Sequence, residues 1–323
     1  MEKTSSVAGS VKAIPIRLNG SLAVAYLLLN LYQFFVLPLY LLPLSLWWAL
    51  TLVPVAALSN PFWSLIHEAI HDLFHPSFRI NALVGRLLSI FFGAPFRVVR
   101  VSHLMHHRLN RSPLEGTELY DPNKTSRMRA SLGYYSQILG GLYLFEFISP
   151  LPFFLPRKFL HLLAKRFFSG RTLAGMVVRS LVTEESIREI RTDGLTVLGL
   201  LGLSAACYGE NWEFLGAALI ARAFLISFLD NVYHYRTPVD DVLYADNLWL
   251  PRSISRTLLH FNLHGLHHKN PSIPWIRLPE IFKSESRRFD GSYFTAALRQ
   301  LSGPIPLWDL PRRRDQVVEL RSP

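Results

Sequence analysis

The sequence contains few charged residues and a single cysteine, and each shortage excludes a class of protein. Charged residues are 18% of the 323 residues and hydrophobic residues are 50%, which is unusual for a water-soluble domain. Because Cys207 is the only cysteine, the chain cannot form an internal disulfide, a four-cysteine zinc site or an iron–sulfur cluster. It also lacks a glycine-rich nucleotide loop and a fused haem domain. These absences favour a membrane protein in which nitrogen or oxygen ligands hold any metal.

Acidic residues are also in the minority. The chain has 23 Asp and Glu against 34 Lys and Arg, a formal net charge of +11. The basic residues flank apolar runs, as they do at the cytoplasmic face of a membrane, so nucleic-acid binding accounts for this charge less well. Arg is much commoner than Lys, which points to a bacterial source, and the expected location is then the bacterial cytoplasmic (inner) membrane.

Two long apolar stretches predict two transmembrane hairpins. No charged residue occurs from Leu18 to Ile66, a stretch of 49 residues, whereas one crossing needs about 20. Pro38 and Pro43 mark the predicted turn of the first hairpin, and the loop GENWE joins the helices of the second. We therefore predict an all-α integral membrane protein with four crossings, at residues 21–37, 44–60, 194–208 and 214–232.

The charge distribution predicts which side of the membrane carries the histidines. Residues 157–193 are rich in Lys and Arg, so the positive-inside rule places them in the cytoplasm. If the apolar segment 131–155 crossed the membrane, the histidines on its two flanks would be separated, so we predict a bent, interfacial or re-entrant segment. Residues 80–96 are also expected at the interface. Arg222 is expected either to face protein, water or a substrate head, or to extend to the end of its helix.

Ten of the twelve histidines lie in three short clusters. In HEAIHDLFH the histidines are four residues apart, so on a helix they share one face. HLMHH and HGLHH both place histidines at i, i+3 and i+4, which brings three imidazoles onto one stripe. The two triplets with His67 and His71 supply eight nitrogen ligands, too many for one four-coordinate zinc and suited to two metals. The triplets are His103, His106 and His107, and His264, His267 and His268.

Two alternative interpretations of these clusters stay open. Histidines on amphipathic helices at an interface would account for one triplet, but account poorly for two triplets and a pair on one side of a membrane. His67, Glu68 and His71 also match the HExxH motif of zinc proteases, with Glu68 as general base. A membrane-embedded zinc metalloprotease is therefore the alternative of a different class, although it leaves six clustered histidines without a role.

The three clusters, their order and the two hairpins resemble the integral-membrane fatty acid desaturase and hydroxylase family. The resemblance covers about residues 62–282 and is closest in HFNLHGLHHKNPSIPWIRLPEIF and in DNVYHYRTP just before it. It implies two irons held by histidines of all three clusters and one further imidazole after the last crossing. His234 lies at that further position, with a supporting or helix-end histidine as the alternative. The implied metal ligands are His67, His71, His103, His106, His107, His234, His264, His267 and His268.

Several polar residues near the clusters are predicted to support the ligands. Asp230 and Asn231 precede His234 by about one helical turn, so either could orient a ligand or a metal-bound water. The acids in the first cluster are expected to accept imidazole N–H bonds and thereby to set the tautomer. The predicted supporting residues are Glu68, Asp72, His75, Asp230, Asn231 and His260.

The resemblance also implies a reaction. It predicts a desaturase that uses two non-haem iron ions and O2 to remove two hydrogens from a fatty-acyl chain, with a lipid or carotenoid hydroxylase or ketolase as the alternative. The electrons are expected from a separate ferredoxin or small haem protein with its reductase, which the basic cytoplasmic face would suit. We predict one domain spanning residues 1–323, in which a cytoplasmic helical cap holds the histidines. A basic tail, about residues 284–323 with Arg312, Arg313 and Arg314, is expected to cover that face or to meet anionic lipid.

Overall fold

The computed structural model describes residues 13–112, 114–168, 172–239 and 241–310, and most of them are helical. The predicted arginines of the basic tail, Arg312, Arg313 and Arg314, lie outside the described residues. The α-helices are α1 (Ile16–Leu31), α2 (Leu52–Ala57), α3 (Ser59–Ile70), α4 (Phe78–Phe92), α5 (Phe96–Leu109), α6 (Arg127–Ser136), α7 (Leu142–Ile148), α8 (Pro150–Phe153), α9 (Arg157–Phe167), α10 (Leu173–Leu181), α11 (Glu184–Tyr208), α12 (Trp212–Asp230), α13 (Arg252–Thr257), α14 (His264–Lys269), α15 (Leu278–Ser284) and α16 (Tyr293–Arg299).

Shorter elements join these helices. The π-helical stretches are Tyr32–Leu41 and Gln137–Gly141, and the 3₁₀ turns are Leu46–Thr51, Gly209–Asn211, Asn231–Tyr233, Trp275–Arg277, Gln300–Ser302 and Leu307–Asp309. The strands in the described chain are β1 (Leu119–Tyr120), β2 (Leu248–Trp249), β3 (Gly291–Ser292) and β4 (Ile305–Pro306). They form two parallel pairs, in which Leu119 is opposite Ile305 and Leu248 is opposite Gly291. The pairs tie the C-terminal part to the loops around the histidines.

Three helical stretches are long and apolar enough to cross a membrane, so the chain is an integral membrane protein. They are Ile16–Leu41, Leu46–Ile70 and Glu184–Tyr233, and α4 with α5, bent by 101°, would make a fourth. The first turn lies at residues 42–45. Pro38 lies inside the π-helical end of the first stretch and not in that turn. A π-helical backbone already departs from the α-helical hydrogen-bond pattern, so it accommodates a residue without an N–H.

The turns of the first and third stretches lie together. Leu37 and Leu52, on either side of the first turn, share one hydrophobic cluster with Tyr208 and Leu215, on either side of the 3₁₀ turn Gly209–Asn211. Tyr208 also donates its hydroxyl to the carbonyl of Gln33 at 2.7 Å. Helix α11 ends and α12 begins beside this cluster, at the turn Gly209–Asn211.

Helices α4 and α5 pack closely at their bend. A methyl group at Gly85 would overlap the ring of Phe96, so the helices approach each other at a residue without a side chain. Arg97 of α5 donates to Glu189 of α11 at 2.6 Å. An ion pair between Arg86 of α4 and the buried Asp193 of α11 makes a second link. These contacts hold α4 and α5, which carries three clustered histidines, against α11.

The segment from α6 to α8 packs on the last turns of α12. The backbone bends at Gly140, whose φ of 139° favours glycine. The amide of Tyr143 donates to Ser227 of α12 at 3.0 Å, and its hydroxyl donates to the carbonyl of Phe92 at the end of α4. These contacts hold the segment beside the end of α12 that leads to His234.

Arg222 of α12 faces protein. Its side chain is buried and donates to the carbonyls of Phe91 and Phe92 at 3.1 and 3.0 Å and to Asn30 of α1 at 3.0 Å. The last carbonyls of α4 have no partner within their own helix, so the guanidinium satisfies them inside the bundle. Of the two orientations expected for this arginine, the structure has the one that faces protein.

Candidate metal centre

Four parts of the chain bring nine imidazoles together. Helix α3 ends at the first cluster, α5 carries the second, the 3₁₀ turn after α12 leads to His234, and α14 carries the last triplet. These are the nine histidines that the sequence predicts as ligands. They form a five-histidine group (His67, His71, His103, His107 and His267) and a four-histidine group (His106, His234, His264 and His268), and in each group the candidate ligand atoms all lie within 4.8 Å of one another.

The two groups are neighbours because α5 supplies both. Consecutive residues of an α-helix point about 100° apart, so His106 and His107 turn to different groups. The rings of His107 and His268, one from each group, stack with their centroids 4.3 Å apart. The site therefore consists of two adjoining groups of imidazole nitrogens.

The distances within the groups fit bound cations. In the five-histidine group the Nε2 atom of His103 is 3.0 Å from those of His71 and His107, and the Nε2 atoms of His107 and His267 are 3.1 Å apart. Nitrogens bound at about 2.1 Å from one metal and at right angles are about 3 Å apart. At most two of these three contacts can be hydrogen bonds, because each ring nitrogen carries one proton or one lone pair. A metal would satisfy all of the converging lone pairs.

The four-histidine group has the same geometry. The Nε2 atom of His264 is 3.2 Å from that of His234 and 3.1 Å from that of His268. Burial, together with the neighbouring imidazoles, lowers the pKa of His264, His267 and His268 well below its usual value. These rings are therefore neutral at physiological pH, which is the form that binds a metal. The donor set fits two divalent ions that accept imidazole.

Two residues that support the rings were not predicted from the sequence. Glu115 contacts His106 Nδ1, which leaves Nε2 of that ring available to a metal. Asn110 donates to Val242 and Tyr244 carbonyls at 3.1 and 2.7 Å and lies 3.3 Å from His268 Nδ1. Asn110 is three residues after His107, so helical spacing could have revealed it. Glu115 lies in a loop, where periodicity carries no signal.

A buried ion pair lies beside these supports. Arg111, whose φ is 56°, donates to Glu118 at 2.8 Å, and both side chains are almost inaccessible to solvent. Arg111 also donates to the carbonyls of Thr237 and Pro238, and Glu118 accepts the amide of Arg236. The pair joins the loop after α5 to the residues that follow His234, and no spacing or motif predicts it.

The acids in the first cluster contact groups other than imidazole. Glu68 is buried and accepts the amide of Trp275 at 3.3 Å. Asp72, whose φ is 60°, accepts from Arg100 at 2.8 Å. No bond from either carboxylate to an imidazole occurs among the described residues, so the predicted tautomer-setting role has no counterpart in these contacts.

The remaining predicted supporting residues lie at the edge of the site. His75 Nδ1 accepts the amide of Ser77, and His260 Nδ1 lies 2.9 Å from the hydroxyl of Ser255. Neither ring belongs to the two groups. Asn231 donates to Gln300 at 3.0 Å, and Asp230 faces a cavity beside the site.

That cavity has a volume of about 600 Å³ and reaches the four-histidine group. Its lining includes His106, His234 and Asp230, together with residues of the segment around Gly141 and of α10. Burial, and then Asp230, raise the pKa of Glu146 in its wall to about 8, so this carboxyl holds a proton at neutral pH. The size is that of a pocket for a small molecule or part of a lipid.

Comparison with known proteins agrees with this geometry. The family model described as fatty acid desaturase matches residues 17–296, which extends beyond the resemblance seen in the sequence at both ends. Searches of curated proteins and of solved structures found no match. The matched region includes both histidine groups, the cavity and, except for Ile16, all of the candidate membrane-spanning helices. The chain therefore belongs to the fatty acid desaturase family.

Proposed function

We propose that the protein is a membrane-bound, O2-dependent desaturase that forms a double bond in a fatty-acyl chain at a non-haem diiron centre. The observation that carries this proposal is the pair of adjoining imidazole groups at the side of a 600 Å³ cavity. Two bound iron ions would activate O2, which can remove hydrogen from an unactivated methylene group that acids and bases cannot attack. All nine predicted histidines are the proposed ligands.

The protein's own residues would orient the ligands and the substrate. Glu115 would hold the ring of His106, and Asn110 the ring of His268, so that their ligand atoms stay aimed at the metals. The cavity would place one methylene pair of the chain beside the four-histidine group. The position of that pair then decides which hydrogens are removed.

Four crossings with the histidines in the cytoplasm are also part of the proposal. The third apolar stretch has 50 residues, which as one helix would be about 75 Å long, more than twice the apolar thickness of a bilayer. The turn Gly209–Asn211 therefore supports two crossings by this stretch, which with the first two stretches make four and leave α4 and α5 at the interface. Loop Gly209–Asn211 would be external, and the helical cap with the histidines would lie on the basic, cytoplasmic side of a bacterial inner membrane.

Each turnover also needs two electrons from a separate donor, since the sequence carries no redox centre other than the proposed irons. We propose a ferredoxin or small haem protein with its reductase. The exposed Arg108, directly after His107, offers a positive surface beside the site.

A zinc protease fits the geometry less well. Glu68, which would be its general base, is buried and is not among the residues that line the cavity. His71 contacts His103 at 3.0 Å, so the pair of the HExxH motif belongs to a larger set of ligands. A hydroxylase of the same family would use the same site and differ only in its product.

Metal analysis combined with lipid profiling tests the proposal. Purified protein should hold two metal ions per chain, and cells that express it should accumulate lipids that have lost two hydrogens. His267→Ala should abolish the product and lower the metal content, whereas His161→Ala, on exposed α9, should change neither. A product that has gained oxygen would identify a hydroxylase, and a single metal bound only near His67 and His71 would revive the protease.

A further inference from the structure

The cavity beside the histidines opens through a rim without charged side chains. Five of its lining residues are exposed at the surface, and none of the five is charged. Leu144 and Phe145 of α7 are 48% and 41% exposed. The other three are Ser136, Gln137 and Ala174.

The apolar surface continues from this rim along α8 and α9. We use the name entrance surface for the exposed apolar side chains of residues 144–167. It includes Ile148, Leu151, Phe159 and Leu162, with exposed fractions between 43% and 60%. Many exposed large apolar side chains close together in the chain are uncommon on a surface that faces only water, and they mark a site of contact with a membrane or a partner.

Helix α9 has the charge pattern of a helix that lies in a membrane interface. Its inner side buries Leu160 and Ala164 in a hydrophobic cluster. On its outer side Lys158, Leu162 and Arg166 are four residues apart, so cations flank an exposed apolar side chain. Such a helix places its apolar side chains among lipid tails and its cations among anionic headgroups. Charge and polarity therefore both favour a lipid bilayer as the occupant.

The cavity itself offers no free cation to an anionic carrier. Arg111 is the one Lys or Arg among the described residues that line it, and Glu118 binds its guanidinium. The lining also contains Glu115, Glu146 and Asp230. Phosphate groups, such as those of a soluble acyl thioester, would therefore meet no free Lys or Arg among these lining residues.

We propose that the substrate enters the cavity sideways from the bilayer, across the entrance surface, as a hydrocarbon chain that is already dissolved in the membrane. The inference rests on the proposed function and specifies the form of its substrate. A chain esterified in a membrane lipid and a membrane-dissolved free fatty acid share the required chemistry. A thioester on a water-soluble anionic carrier does not.

Fluorescence quenching tests the location of the entrance surface without metal or turnover. In a Cys207→Ser background, single cysteines would be introduced by Phe145→Cys, Phe159→Cys and Ile254→Cys. Each would carry a fluorescent label, and each protein would be placed in lipid nanodiscs. Ile254 is the matched control, because it is 41% exposed like Phe145 but lies between Arg252 and Arg256 on α13. Spin-labelled lipid should quench the labels at 145 and 159 several-fold more strongly than the label at 254, and soluble iodide should show the opposite order.

Two outcomes of this measurement would overturn the proposal. One is that iodide quenches the labels at 145 and 159 as strongly as the label at 254, which would place the entrance surface in water. The other is protection of both labels from lipid and iodide in protein that migrates as a dimer, which would make the surface a contact between two copies.

The form of the substrate is then tested with one deuterated acyl chain, offered to the protein in three chemical forms. Iron-loaded protein, reduced chemically, would receive it as nanodisc phospholipid, as free fatty acid in the bilayer, or as acyl-coenzyme A in solution. At least one membrane form should give product several-fold faster than the thioester. The faster membrane form shows whether the substrate is an esterified lipid or a free fatty acid. A faster reaction of the thioester would overturn the proposal. If no form reacts in iron-loaded protein, the proposed function fails, whereas the quenching result stands on its own.

Discussion

At the scale of single residues, the histidines depend on neighbours that bind no metal. Glu115 contacts Nδ1 of His106, a member of the four-histidine group, and leaves Nε2 of that ring available to a metal. A carboxylate in this position fixes the tautomer and the orientation of the ring and makes it a stronger ligand. The metal affinity of the four-histidine group should therefore depend on a residue outside the nine.

Replacing Glu115 should weaken this group specifically. We expect Glu115→Ala to lower metal affinity by about 10- to 100-fold, and Glu115→Gln, which keeps an acceptor oxygen but loses the charge, to have a smaller effect. Competition with a coloured chelator measures the affinity, and Glu210→Ala in the exposed turn after α11 is the control. Equal affinities for wild type and Glu115→Ala would show that the contact does not support the ligand.

The position of α14 depends on Gly265, which lies between two histidines of the last triplet. A methyl group there would overlap the carbonyl oxygen of Ala245, so α14 can approach the neighbouring loop only with glycine. We expect Gly265→Ala to cost about 1–3 kcal/mol of stability and to lower the metal content, because α14 must move. Thermal unfolding and metal analysis measure both effects. Gly133→Ala, where the added methyl group meets nothing within 4 Å, should be harmless, and a similar loss in both variants would refute the packing argument.

At the scale of elements, α5 has two functional sides. Ser102, His106 and Asn110 are four residues apart and line the cavity. Arg100, Leu104 and Arg108 are also four residues apart and lie on the opposite side of the helix. Leu104 and Arg108 are exposed. His103 and His107 lie between the two sides. This arrangement would let substrate approach from one side and an electron donor from the other.

The charge of the outer side should therefore affect reduction by a protein donor. Arg108 forms no ion pair among the described residues, and we expect Arg108→Glu to slow reduction by an acidic plant-type ferredoxin about tenfold at low salt, with a smaller loss at high salt. Stopped-flow spectroscopy measures the rate. Arg127→Glu, the same change on exposed α6, should have little effect, and reduction by dithionite should be unchanged in both variants. An equal loss with dithionite would mean that the substitution damages the site itself.

At the scale of the whole molecule, the histidine groups can form only if α5 and α14 lie on the same side of the membrane. The segment from α6 to α8 separates them along the chain, and its contacts with Ser227 and Phe92 hold it beside the end of α12. A re-entrant path for this segment keeps both helices on one side.

Labelling from the two sides of the membrane tests this layout. In a Cys207→Ser background, we expect Lys124→Cys and Arg179→Cys to react with an impermeant maleimide only from the cytoplasm, and Glu210→Cys only from outside. Lys124 and Arg179 flank the segment and are exposed, as is Glu210. Labelling of Lys124→Cys and Arg179→Cys from opposite sides would mean that the segment crosses the membrane, and would contradict the four-crossing proposal.

The sequence by itself determined the features that depend on local spacing and composition. Long uncharged runs predicted the membrane helices, and histidines spaced three or four residues apart predicted three rows of imidazoles, because helix geometry repeats over a few residues. Together they identified the family, which the match over residues 17–296 confirms. The predicted ligand roles and supporting roles stay predictions.

Only the tertiary structure decided how the rows combine. His106 leaves its sequence neighbours and joins His234, Glu115 reaches it from a loop, and Arg222 caps α4 instead of extending to the helix end. The cavity and its uncharged rim likewise arise from segments far apart in the chain. Each of these features depends on packing between distant segments, which residue spacing does not encode, because the spacing describes one helix and not the distance between two.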